Sequence, residues 1–208
     1  AQRNAAVGFA VKYGPGTMQP LIASFQRYAS PCDDLVLFVD DMNPNVAFDK
    51  TKGNVILLKR QDWVRKIKRS IGGAAANQRV GAISAWIEEN WRRYKYMLHI
   101  DTRDLLFFAN PFAAFYKNKV DGLVSVAEAT AYKNNKHNWL WVDLFYGTPV
   151  PAIPGPLVKM ITTFTLHGRP IPVICSGLYG GTSLALLDYF GAFSRGIETA
   201  NPRAKQEL

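Results

Sequence analysis

Cysteine is nearly absent from this chain of 208 residues, and the scarcity removes whole classes of protein. Only Cys32 and Cys175 occur, far apart in the sequence, which excludes a disulfide framework and leaves no paired spacing for a structural zinc. Both are read as free thiols, although two cysteines can pair wherever a fold brings them together. No Asn-x-Ser/Thr acceptor occurs, so nothing points to a glycosylating compartment. No stretch approaches about 18 consecutive apolar residues, and the first residues lack a signal-peptide pattern. The expectation is a soluble domain with the cytoplasm favoured and the compartment unassigned. A start at Ala1 instead of Met also fits a piece of a longer or anchored protein.

Acidic residues are the minority. Sixteen Asp and Glu stand against 25 Lys and Arg, a net charge of +9 that favours an anionic partner. Much of the excess lies in 59–69, with Lys59, Arg60, Arg65, Lys66, Lys68 and Arg69. That segment reads either as a patch for phosphate or for peripheral contact with an anionic membrane, or as a solvated face. Nucleic acid is the weaker partner, because the aromatics are not interleaved with the basic run.

What the chain has is core. Its 48% hydrophobic and 12% aromatic content argues for a folded globule, and its length for one large domain over 1–200 with a frayed tail at 201–208. Apolar runs at 7–11, 35–39, 55–58, 96–100 and 123–127 read as strands. Helical spacing places Leu21, Ile22, Phe25 and Tyr28 on one face of 18–28, and Val80, Ile83, Ile87 and Trp91 on one face of 77–91. Gly14-Pro15-Gly16 and Gly72-Gly73 read as breaks. Asn110-Pro111 opens a short helix. Residues 131–165 are less regular and rich in Trp and Pro. Pro172 restricts 171–174 to an edge strand or a strand start, and 175–182 reads as a glycine-rich turn into a last helix marked by Leu184, Leu187 and Phe190, with Thr182 or Ser183 as cap. Strands alternating with helices predict an α/β fold whose sheet is parallel or mixed and covered on both faces.

Chemistry concentrates where the 96–100 strand ends, in Asp101-Thr102-Arg103-Asp104. Charge at the carboxyl end of a strand in an α/β sheet is where ligands usually sit. Two carboxylates three residues apart, with no His or Cys between them, suit Mg²⁺ or Mn²⁺ better than Zn²⁺. Such an ion needs only one or two protein carboxylates, because substrate phosphates and water complete its shell. Arg103 adds a planar donor for phosphate. The structural alternative has Asp101 capping the following turn while Arg103 and Asp104 form an ion pair. Asp40-Asp41 is a rival acidic pair, which the turn chemistry of Met42-Asn43-Pro44-Asn45 explains as a cap.

The strand into Asp101-Thr102-Arg103-Asp104, followed by Leu-Leu-Phe-Phe-Ala-Asn110-Pro111-Phe112, resembles the Asp-x-Arg-Asp…Phe…Asn-Pro-Phe signature of nucleotide-sugar glycosyltransferases with the GT-A fold. Cys175-Ser176-Gly177-Leu-Tyr-Gly180-Gly181-Thr182 resembles their Asn-Ser-Gly-x-x-x-Gly segment, with Cys175 in place of Asn. The resemblance implies a single GT-A-like domain with a Rossmann-related, mainly parallel mixed sheet. It implies a donor that is a nucleoside diphosphate sugar, with UDP the expected nucleotide, an acceptor that is a glycan or another hydroxyl compound, and Mn²⁺ or Mg²⁺. It further implies nucleotide and metal contacts at Asp101 and Asp104, phosphate steering by Arg103, base contacts along the strand edge at Val11 and Tyr13, and donor-sugar or acceptor contacts at Ser176 and Gly177. The usual motif is Asp-x-Asp, and here Arg103 takes the third position.

Glu128, directly after a strand, and Asp143, in the irregular region, are the candidate bases for an acceptor hydroxyl; each reads equally as a solvated or loop carboxylate. His167 is a candidate metal ligand in a turn, His99 a core residue within a strand, and His137 exposed. Trp139, Trp141 and Tyr146 read as sugar-stacking or as plain packing. Two rival functions use the same residues: a nucleotidyltransferase or phosphate-ester hydrolase, disfavoured because Gly14-Pro15-Gly16 is too short for a phosphate loop, and a non-catalytic module for anionic ligands.

Overall fold

The computed structural model describes residues 3–13, 15–40, 54–67, 75–103, 105–131, 165–166, 169–170 and 172–199. The breaks expected at Gly14 and Gly72-Gly73, the Asp41 turn, most of 131–165 and the tail at 201–208 lie outside them.

Parallel strands buried on both faces require apolar side chains in both phases of the period-two repeat, and the sequence supplies them. β1 (Arg3–Phe9), β2 (Asp34–Phe38), β3 (Asn54–Leu58) and β4 (Tyr94–Ile100) are mutually parallel neighbours. β5 (Leu123–Ala131) completes a six-stranded sheet with β8 (Pro172–Thr182), in the order β3-β2-β1-β4-β8-β5, and β8 runs antiparallel to both neighbours. β6 (Thr165–Leu166) and β7 (Arg169–Pro170) form a separate small ladder. β1 starts four residues earlier than the apolar run at 7–11 suggests, because Arg3 and Asn4 are paired with Asp34 and Asp33 and can therefore enter the ladder.

One face of the sheet presents Val7, Val36, Phe38 and Met97 to α3 (Ala75–Asn90) and to α5, the last helix (Ser183–Thr199). The other presents Ala6, Leu35, Leu37, Leu98 and Ile100 to α1 (Pro15–Tyr28) and α4 (Ala113–Lys117). In α1, Leu21, Ile22 and Phe25 are fully buried at helical spacing, as expected, Tyr28 is half buried against the same cluster, and Met18 is fully buried with them. Val80, Ile83 and Ile87 do the same in α3. Trp91 falls just beyond α3, in a 3₁₀ turn over Trp91–Arg93. In α5 the capping expectation holds, since the Ala185 N–H donates to Thr182 Oγ1 at 3.2 Å. Of the expected face, Phe190 is buried and Leu187 packs half-buried against the core, whereas Leu184 is half exposed and Leu186 and Ile197 are buried as well.

The reading of 171–182 needs correction. β8 is an interior strand of 11 residues, and the glycines expected to make a turn lie within it. Pro172 is its first residue, where no ladder donor is required. A Cβ on Gly180 would lie 2.8 Å from Phe115 Cζ and 2.9 Å from the Met97 carbonyl oxygen, and one on Gly181 would lie 2.0 Å from the Gly122 carbonyl oxygen. These glycines allow close approach between neighbouring backbone segments, a role that adjacent glycines signal no differently from a turn.

His99 is a core residue, as expected. It is 1% exposed, stacked on Tyr179 at 4.6 Å between ring centroids, and its Nδ1 has no hydrogen-bond partner. Burial, reinforced by the charge of Arg79, pushes its pKa down to about 3.

Two outcomes follow from this architecture. Gly181→Ala should lower stability by about 1–3 kcal/mol in urea unfolding, as overpacking does, whereas Gly122→Ala, whose Cβ meets nothing within 4 Å, should change it by less than about 0.5 kcal/mol. For His99 the folded pKa lies below the unfolded value, so the unfolded chain takes up the proton first as pH falls. Stability should therefore be complete above about pH 6.5 and decline toward pH 3, by about 1.4 kcal/mol per pH unit within that window. His99→Phe should remove this part of the pH dependence, measured as unfolding midpoints between pH 4 and 7.

Candidate functional site

The strand order places β2 on one side of β1 and β4 on the other, so the chain reverses direction across the sheet between β1 and β4. In open α/β sheets the crevice outside the carboxyl ends at such a point is where ligands bind. The last paired residues there are Gly8 and Ile100, and Asp101 follows directly.

Thr102, which the sequence reading left without a role, anchors the motif. It is 1% exposed, and its Oγ1 donates to the Phe9 carbonyl oxygen at 2.9 Å. A Cβ on Gly8 would lie 2.3 Å from Thr102 Cγ2, so a glycine in β1 makes the seat that Thr102 fills. The signal was present in Val7-Gly8-Phe9, because an isolated glycine inside a strand marks close approach as often as a bulge. With Thr102 turned inward, Asp101 and Arg103 on either side are exposed. Asp101 Oδ1 accepts the Arg103 backbone N–H at 3.3 Å, so the turn-capping reading holds for that oxygen. Asp104, and with it the ion pair expected with Arg103, lies outside the described residues.

Next to the motif, the loop after β1 is held by backbone and carboxylate. The Ala10 N–H donates to the Phe38 carbonyl at 2.8 Å, and the Lys12 N–H donates to Asp40 Oδ2 at 2.8 Å. Lys12 adopts a left-handed backbone with φ of 68°, which this bond stabilises. The rival acid Asp40 is thus largely buried and fixes the neighbouring loop. Val11 and Tyr13, expected at a strand edge, lie on this loop, half buried against opposite faces of the core.

β8 brings the second motif to the same end of the sheet. Leu178 pairs with Ile100, and the preceding Gly177 and Ser176 carry the backbone beyond the end of β4 while β8 continues alongside β5. The register between β5 and β8 shifts there: Ser125 faces Tyr179 and Ala127 faces Ile174, so 175–178 bulge against Val126. Bulges of this kind re-aim a chain and are frequent beside active sites. Glu128, expected directly after a strand, instead lies within β5, which extends to Ala131 and runs in the same direction as β4, so its backbone lies toward the Asp101 end. Asp143 and His167 lie outside the described residues, as do His137, Trp139, Trp141 and Tyr146. Among the described residues no group of three His, Cys, Asp or Glu gathers at metal-ligand spacing.

The basic segment divides. Trp63, buried within α2 (Arg60–Trp63), donates its indole N–H to the Val39 carbonyl at 3.1 Å and meets the Phe9 ring edge-on at 5.3 Å. It ties the segment to the carboxyl ends of β1 and β2. Lys66 pairs with Glu89, whereas Lys59, Arg60 and Arg65 are exposed. No helix among the described residues is long and apolar enough to cross a membrane.

Thr102→Val should cost about 1 kcal/mol, the net value of a buried hydrogen bond, and Thr102→Ser, which keeps the hydroxyl, should retain more stability than Thr102→Val in the same urea titration. Compared with protein-family models and with curated proteins, the chain matches none.

Proposed function

We propose that the protein is a metal-dependent glycosyltransferase, built as a single GT-A-like domain, that moves a sugar from a nucleoside diphosphate sugar to a hydroxyl acceptor. The observation that carries this reading is the position of Asp101 and Arg103. They are exposed at the carboxyl end of β4, beside the point where strand order reverses, and are held there by the inward-facing Thr102.

The residues present suit a hard divalent cation. Asp101 offers an exposed carboxylate of which only Oδ1 caps the turn, and an Mg²⁺ or Mn²⁺ site needs one or two such groups. Asp101 and Asp104 would hold the ion, which when bound neutralises charge on a diphosphate leaving group. Arg103 supplies a guanidinium suited to phosphate oxygens. Lys12, exposed on the loop that Asp40 fixes, adds positive charge at the same end of the sheet. Glu128 is the favoured base for the acceptor hydroxyl, and the bulge carrying Ser176 and Gly177 is the favoured wall for the sugar. UDP is the favoured nucleotide, and the exposed cations at Lys59, Arg60 and Arg65 suit an acceptor carried on an anionic surface.

Calorimetric titration with UDP, GDP and their sugars, with and without Mn²⁺, tests the reading. Binding should require Mn²⁺, and Asp101→Asn should weaken it at least about tenfold, or ~1.4 kcal/mol. No nucleotide binding under either condition, or unchanged binding by Asp101→Asn, would sink it.

A further inference from the structure

The Asp101 crevice uses the carboxyl end of the sheet, and a second concentration of charge lies at the amino end. α1 runs back along β1 and stops just before β2 begins, so Arg27 reaches that end. Arg92 and Arg93 lie in the 3₁₀ turn before β4, Lys95 is the second residue of β4, Lys117 ends α4, and Lys119 precedes β5. Contacts distant in sequence gather these segments: the Tyr116 hydroxyl donates to Asn4 Oδ1 at 3.2 Å, and the Thr182 N–H donates to the Gly122 carbonyl at 3.2 Å. Among the described residues these six cations have no carboxylate partner, and all but Lys95 are exposed. Acidic groups are fewer there. Asp33 and Asp34 are buried among the amino ends of the strands and Glu89 is paired with Lys66, which leaves Glu88 and Asp121 exposed. The surface therefore selects for anions.

The charged heads are held over rings. In Trp91-Arg92-Arg93-Tyr94-Lys95-Tyr96, basic and aromatic residues interleave. Arg92 lies 5.0 Å from the Trp91 ring centroid, Arg93 5.7 Å from that of Tyr94, and Lys95 5.0 Å and 4.8 Å from those of Tyr96 and Tyr116. Arg27 covers Tyr28 in the same way at 5.3 Å. Side chains held in place lose less freedom when they bind. Interleaved cations and aromatics suit a nucleic acid or an anionic lipid surface, and the burial of the rings separates the two. Tyr94 and Tyr96 are buried, and the half-buried Trp91 and Tyr28 each carry a guanidinium, so these rings are poor platforms for bases.

Apolar side chains stand exposed beside the cations. Leu184, 51% exposed, lies in the first turn of α5 directly after Thr182, which pairs with Tyr96. Leu123 opens β5 opposite Gly181 and is 43% exposed. Leucines among lysines and arginines suit the boundary between lipid headgroups and acyl chains, where cations meet phosphate and apolar groups leave water.

We propose that the amino end of the sheet is a peripheral docking surface for membranes that contain anionic lipid. The cations contact the headgroups, and Leu123 and Leu184 reach the acyl boundary. In this pose the Asp101 crevice, at the other end of the sheet, faces away from the bilayer. The surface is separate from that crevice and does not depend on the reading of it.

Co-sedimentation of the full chain with phosphatidylcholine vesicles, with and without phosphatidylserine, tests the proposal. Binding should require phosphatidylserine and weaken with added salt. Arg27→Gln, Arg92→Gln and Lys117→Gln should each weaken it about fivefold, the contribution of one cation at an anionic membrane surface, while circular dichroism reports an intact fold. Leu184→Ser should lower the binding that survives high salt. Neutralising Lys59, Arg60 and Arg65 at the other end should weaken binding less than neutralising Arg27, Arg92 and Lys117 together. A single-stranded oligonucleotide or polyglutamate, at matched charge concentration, should leave the protein on the vesicles. Equal binding to both kinds of vesicle, undiminished binding by the folded triple variant of Arg27, Arg92 and Lys117, or displacement by either polymer overturns the proposal.

Discussion

Asp34 holds the three central parallel strands in phase. Fully buried at the start of β2, it accepts a hydrogen bond from Arg3 of β1 at 2.6 Å and one from the Tyr94 hydroxyl of β4 at 2.7 Å. One carboxylate thereby fixes the positions of two neighbouring elements, and a slip of one residue would send every side chain of a strand to the opposite face. Asp33 reinforces the arrangement. It accepts from Asn4 Nδ2 at 2.7 Å and from the Ser30 N–H at 3.0 Å, while Asn4 Oδ1 in turn accepts from the Tyr96 N–H and the Tyr116 hydroxyl. Burial raises the pKa of Asp33, and the bonds from Asn4 and Ser30 oppose that rise. Burial, then the hydrogen bond to Asp34, likewise pushes the Tyr94 hydroxyl upward, so it stays a donor.

This register is set at the amino ends of the strands and used at the carboxyl ends. Pairing that begins with Arg3 beside Tyr94 and continues from Asn4 beside Tyr96 brings Gly8 level with Ile100. Only in that phase does the missing side chain of Gly8 face the methyl of Thr102. Thr102 then binds the Phe9 carbonyl, and Asp101 and Arg103 are exposed on either side of it. The loop after β1 and the Trp63 anchor depend on the same ends, through the Phe38 and Val39 carbonyls and Asp40. Polar bonds at one end of the sheet thus determine which side chains are presented at the other.

Much of the architecture was legible because burial imposes periodicity. Alternating phases in β2 and β4 and helical spacing in α1 and α3 follow from which side chains must leave water. The acidic motif was legible as charge directly after a buried strand, a position that suits turn capping as well as ligand contact, and both Asp101 and Asp40 accept backbone N–H groups there. The glycines of β8 were misread because glycine specifies only the absence of a side chain. Whether Gly180 and Gly181 turn the chain or admit Phe115 and Gly122 depends on neighbours distant in sequence. The same blindness applied to Gly8 and Thr102, whose contact spans more than ninety residues. In α5 it exposed Leu184 and buried Leu186, because the helix meets its neighbours on two sides.

The sequence by itself determined that the chain folds as layered α/β, that its strands are buried on both faces, and that carboxylates follow the fourth strand. Those properties come from local composition and period. The tertiary structure decided that β8 threads between β4 and β5, that Asp40 fixes a loop, and that Gly8 seats Thr102 beside the reversal of strand order. It also decided that cations from α1, β4 and α4 gather at the amino end of the sheet. Each of those depends on contacts between segments distant in the chain, which no local pattern encodes.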